Sequence, residues 1–78
     1  MRPSTIKPGT PLNIAPLFGG GQSLTAVFIK RTPARGRFMA INYLRFPAYA
    51  GIHGPDDDGT IQMSDVDLSN HGHIANSQ

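Results

Sequence analysis

The sequence contains no cysteine and no tryptophan. Without thiols there is neither a disulfide framework nor a thiolate metal site, which excludes a small cross-linked secreted scaffold. The expected setting is a reducing cytoplasm. Acidic residues are few and late: the five are all Asp, and none precedes Asp56. No apolar run approaches the ~18 residues that cross a bilayer, and Met1-Arg2-Pro3-Ser4-Thr5 lacks the apolar core of a signal peptide. No membrane partner is therefore expected. Glycine and proline, in contrast, are abundant at 9 and 7 of 78 residues. They interrupt long helices and favour short strands joined by tight turns.

The charge is divided along the chain. All 7 basic residues lie before position 46 and all 5 acidic ones after position 55, giving a net charge of +2. At 38% hydrophobic residues and 15% charged ones, the composition suits one packed domain with a small core rather than a charge-driven disordered chain.

Residues 1–10 read as a flexible N-terminal arm, with two prolines and little to bury. A single domain is expected over 11–74 and a frayed end over 75–78. Leu12, Ile14 and Phe18, interrupted by Pro16, read as an edge or bulged strand, followed by a turn at Gly19-Gly20-Gly21. The run from Ser23 to Arg31 is apolar on both alternating faces, as in a central strand buried on two sides. A hairpin loop at Thr32-Pro33-Ala34-Arg35-Gly36 leads into a strand from Arg37 to Phe46. In that strand Phe38, Ala40, Asn42, Leu44 and Phe46 share a face. Residues 47–59 form a long loop, and Thr60 to Met63 a short strand with Ile61 and Met63 facing inward. One helical turn begins at Ser64-Asp65, packs Val66 and Leu68 inward and stops at Gly72. Ile74 opens a last strand.

Such an order of elements describes a mostly β domain: a small SH3-like β-barrel of four to five strands with one short helical turn. The segments Phe28 to Arg37, Gly54-Pro55-Asp56-Asp57-Asp58-Gly59 and Ser64-Asp65-Val66-Asp67-Leu68 resemble small SH3-like barrel proteins of phages and plasmids. The resemblance spans roughly residues 24 to 72. It implies a fold and a mobile genetic element as the setting, and it carries no activity.

Lys30, Arg31, Arg35, Arg37 and Arg45 form the candidate nucleic-acid surface. A hairpin would gather the first four at one tip, where cations neutralise phosphates, and Tyr43 and Tyr49 could stack bases. The simpler reading is a solvated hairpin. The alternative function is an inhibitor or adaptor docking on a host protein through the 47–59 loop, with Tyr49, Ile52 and His53 as its anchor. A third is a structural or assembly protein whose opposite charges pair between copies in a homo-oligomer.

Other groupings reduce to ordinary chemistry. Asp56, Asp58 and Gly59 fall at EF-type spacing, but the first ligand position is Gly54 and the twelfth is Asp65 rather than Glu. His71 and His73 would need a third and a fourth metal ligand, which only His53 or the Asp residues could supply, and a polar tail is the simpler reading. Ser64, Asp65 and His71 can be grouped as a triad, yet a helix cap explains the first two more simply. Ile61-Gln62-Met63 is similar to a strand of the short plasmid-borne dihydrofolate reductases, but Ser64 stands where that family has tyrosine. Neither an enzyme nor a cofactor is expected.

Overall fold

In the computed structural model of the chain, residues 2–15 and 23–75 are described. Five strands, β1 (Pro11–Ile14), β2 (Leu24–Thr32), β3 (Ile41–Arg45), β4 (Thr60–Ser64) and β5 (Gly72–Ile74), form one antiparallel sheet in the order β4-β3-β2-β1-β5. One α-helix, α1 (Asp65–His71), joins β4 directly to β5. Short 3-10 turns occupy Pro3–Thr5 and Pro47–Tyr49. β4 and β5 are the sheet's two edges and do not pair with each other, so the sheet is unclosed.

The absence of linker residues around α1 shapes the whole sheet. Laid flat, the edges would stand about 19 Å apart, four strand spacings, whereas seven helical residues rise only about 10 Å. The sheet must coil to bring its edges toward each other. Its concave side holds the core: Leu12 and Ile14 from β1, Ala26 and Phe28 from β2, Leu44, Phe46, Met63, and Leu68 from the helix.

Four expectations from the sequence are corrected. β1 is not an edge strand: it lies between β2 and β5, because its interior (Leu12, Asn13, Ile14) contains no proline and Pro11 takes only the first position. Residues 2–10 are not a flexible arm. Pro3 is buried, Ile6 packs on the core, and the chain from Gly9 to Thr10 already pairs with Phe28 through two backbone hydrogen bonds. Val66 is 65% exposed while Leu68 is fully buried, since positions two apart on a helix do not share a face. β2 is central, but its Val27 and Ile29 are only half-buried, so one of its faces meets solvent. Pro16, Phe18, the Gly19–Gly21 turn and residues 76–78 lie outside the described residues, and Ala75 still donates to the Pro11 carbonyl.

Helix start and stop follow the expected chemistry. The Ser64 hydroxyl accepts from the Asp67 amide at 3.2 Å, and Asp65 and Asp67 place negative charge in the first turn. The burial difference on α1 predicts a sharp contrast. Leu68→Ala should cost about 2–5 kcal/mol, and Val66→Ala no more than about 0.5 kcal/mol. Urea unfolding of both variants measures it; equal losses would mean that the helix presents a different face.

Candidate functional site

The five basic residues singled out above do not form one cluster, and a single irregularity explains why. Phe28 pairs with Leu44 and Lys30 with Tyr43, so one extra residue, Ile29, sits in β2 as a bulge. Beyond it the alternation of β2 is reset. Arg31 pairs with the buried Asn42 on the concave side, and Lys30 faces outward with Tyr43. The Lys30 Nζ lies 4.9 Å from the centroid of the Tyr43 ring, a cation–π contact.

Arg31 is engaged within the fold. Its Nε and Nη2 donate to the two oxygens of Asp65 at 3.1 and 2.7 Å, the bidentate geometry that guanidinium and carboxylate share. Asn42, with no exposed surface, donates through Nδ2 to Asp65 Oδ1 at 2.8 Å and to the Met63 carbonyl at 3.1 Å. Its Oδ1 accepts no hydrogen bond. Arg31 therefore belongs to a structural joint and is removed from the candidate phosphate contacts.

Arg45 is exposed on the outer face, opposite Val27 and Thr60, and Asp58 lies close enough to feel its charge. Arg35 and Arg37 belong to a tight two-residue turn. Arg35 and Phe38 exchange both backbone hydrogen bonds, at 3.0 and 2.9 Å, around Gly36-Arg37. Gly36 has φ +58°, the glycine requirement at the first central position of a type II′ turn. Among the described residues, neither arginine side chain has a hydrogen-bonding or ionic partner.

The turn also overturns the assignment of Phe38 to the inward face. Closing the chain at Gly36-Arg37 takes Phe38 out of the strand and leaves it 79% exposed, with Met39 at 65%. Both escaped the sequence reading because the alternation from Phe38 to Phe46 looked continuous. The signal for them was Gly36 between two arginines, the arrangement of a turn tip.

Tyr49, Ile52 and His53 are brought together. With Asp57, Gly59, Thr60 and Ile61 they line an open groove of about 320 Å³ in and beside the 46–59 connection. The carboxylate of Asp57 holds this loop by accepting from the backbone amides of His53 and Gly59. Asp58 accepts from the amide and hydroxyl of Thr60 at 3.0 and 2.6 Å. Gly59 has φ +84°, and a Cβ there would collide with the Phe46 carbonyl, so only glycine closes the loop this tightly. Tyr49 also packs on Phe46, with ring centroids 5.5 Å apart, at the end of β3 away from the hairpin tip. Among the described residues no group of His, Asp or Glu could hold a metal ion, and no helix is long and apolar enough to cross a membrane.

The hydrogen bonds to the carboxylates link stability to pH. The Asp65 carboxyl is held below its ordinary range first by donation from Arg31 and then by donation from Asn42. Asp58 is lowered chiefly by the Thr60 hydroxyl and amide. A carboxyl depressed by folding contributes stability that is fully present above its unfolded pKa, about 3.9 for Asp, and is lost as pH falls through the folded value. Stability should therefore decline below about pH 4. Asp65→Asn should flatten that acid limb and lower stability at neutral pH, and Asp58→Asn should flatten it less. Chemical denaturation from pH 2 to 7 reads both effects; an unchanged acid limb in Asp65→Asn would contradict the assignment.

No protein-family model matches this chain, and neither a curated protein nor a solved structure matches it.

Proposed function

We propose that this chain is a non-enzymatic binding module that holds single-stranded nucleic acid along the outer side of the β2–β3 hairpin. The observation that carries this reading is the Ile29 bulge, which sets Lys30 on the same face as Tyr43 and Arg45. Lys30 on β2 and Arg45 on β3 are diagonal neighbours, since Lys30 pairs with Tyr43 two residues before Arg45; such neighbours are about 7–8 Å apart, a spacing that suits successive phosphates of an extended strand. Arg35 and Arg37 continue the positive charge to the tip, and the exposed Phe38 supplies a ring on which a base stacks. Arg31 takes no part.

The fold belongs to the same reading: an SH3-like barrel left open between β4 and β5. The strand order, with a short helix returning the chain from β4 to a strand beside β1, supports it. A mobile genetic element as the module's setting is part of this reading and follows from the resemblance of residues 24 to 72 to small phage and plasmid proteins. The non-enzymatic assignment is supported by Ser64 and Asp65, whose side chains serve as helix cap and as Arg31 partner.

Fluorescence anisotropy with a labelled single-stranded oligonucleotide tests the proposal. Binding should weaken steeply with salt, and each lost phosphate contact should reduce the slope of log K against log salt by about 0.7. Lys30→Ala and the double variant Arg35→Ala/Arg37→Ala should both weaken binding across sequences. Phe38→Ser should cost about 1–3 kcal/mol of binding without changing the salt slope. No retention at low salt would refute the reading.

A further inference from the structure

The two ends of β3 carry opposite and complementary surfaces. The connection before β3 holds the turn with Arg35, Arg37, Phe38 and Met39, and the connection after it holds the groove and Asp56, Asp57 and Asp58. Between them lies the five-residue strand, about 17 Å long, so the tip cannot reach the groove of its own chain. Phe38 and Met39 protrude from a turn closed by two backbone hydrogen bonds, beside Arg35 and Arg37, which have no side-chain partner among the described residues. The groove is concave, has apolar walls in Tyr49, Ile52 and Ile61, and is lined on its polar side by Asp57, with Asp56 and Asp58 as its neighbours in the chain. Ile52 is itself 61% exposed.

We propose that the groove receives the hairpin tip of a second copy of this chain, so that copies associate head to tail. Phe38 enters between Tyr49 and Ile52, and Arg35 and Arg37 face Asp56 and Asp57. Asp57 can accept from an arginine while still holding its loop, because each carboxylate oxygen accepts more than one hydrogen bond. The acidic rim excludes nucleic acid from this groove, and the matching of both charge and apolar content selects the tip over an uncharged partner. The contact is heterologous, joining two different patches, so each added copy presents a fresh tip and a fresh groove. An interface limited to one turn and one groove falls in the small, weak class. The proposal does not rest on the nucleic-acid reading: both use the hairpin tip, but only this one uses the groove.

Analytical ultracentrifugation of the full chain from about 10 µM to about 1 mM tests it, a range that covers weak contacts. The average mass should rise with concentration and fall with added salt. Ile52→Ser in the groove and Arg35→Glu/Arg37→Glu at the tip should each weaken association at least about tenfold, a loss of roughly 1.4 kcal/mol. Mixing these two variants leaves one intact tip and one intact groove, and should restore a heterodimer that grows no further. Ile52→Ser should bind oligonucleotide like the parent chain, which separates failure of this proposal from failure of the previous one. Circular dichroism checks that each variant folds, with Tyr49→Ser replacing Ile52→Ser should the latter unfold. A constant monomer mass, association that both variants leave unchanged, or no pairing between folded variants on mixing would each overturn the proposal.

Discussion

The carboxylate of Asp65 holds together what the rest of the molecule relies on. It sits where β4 passes into α1 and receives Arg31 from β2 and Asn42 from β3. Three strands and the helix thus meet at one anion. The arrangement demands that Arg31 point to the concave side, and Phe28, three residues earlier, must also face the core. Strict alternation cannot satisfy both; the bulge at Ile29 does. Lys30 consequently turns outward onto Tyr43. The outer cationic face is, in this sense, the reverse side of a partly shielded joint. Such a joint specifies geometry more than it adds stability: an ion pair that is partly shielded gives up hydration for its contacts, and the unsatisfied Oδ1 of Asn42 carries a cost of its own.

Charge separation along the chain is carried only partly into space, with Asp65 beside Arg31 and Arg45 beside Asp58 as exceptions. Asp65 is spent on Arg31, so it neutralises the middle of the sheet rather than either end. Arg35 and Arg37 lie in the connection before β3 and Asp56, Asp57 and Asp58 in the connection after it, where Arg45 ends the strand close to Asp58. The net charge of +2 therefore says little about how the molecule meets a partner.

Much of the fold was legible because it is written in local rules. The apolar run from Leu24 to Ile29 marked the central strand, Ser64-Asp65 marked the helix start, and Gly72 its end. The candidate groove was legible in part: Tyr49, Ile52 and His53 are close in sequence, so a compact loop was enough to unite them. The basic surface was less so. Whether Arg31 and Lys30 share a face depends on a bulge, and that bulge answers to Asp65, a residue from a distant part of the chain. No periodicity within β2 records it. The packing of residues 2–10 was hidden for a similar reason, since Pro3 is buried by contacts with a helix near the other end of the sequence. Phe38 shows the opposite failure, a regular local pattern cut short by one glycine.

The pairing of β1 with β5 has a consequence for how the chain reaches this state. β2, β3 and β4 are neighbours in sequence and can zip together as successive hairpins. β5 contributes three residues, and its partner lies nearly a whole chain length upstream. Its docking carries a large loop-closure entropy and little area in return. It is the step that waits for the others, and the helix clasp with Leu68 is what makes it worthwhile. The seam beside β5 is then the last part of the sheet to assemble and the first to exchange its amide protons with solvent.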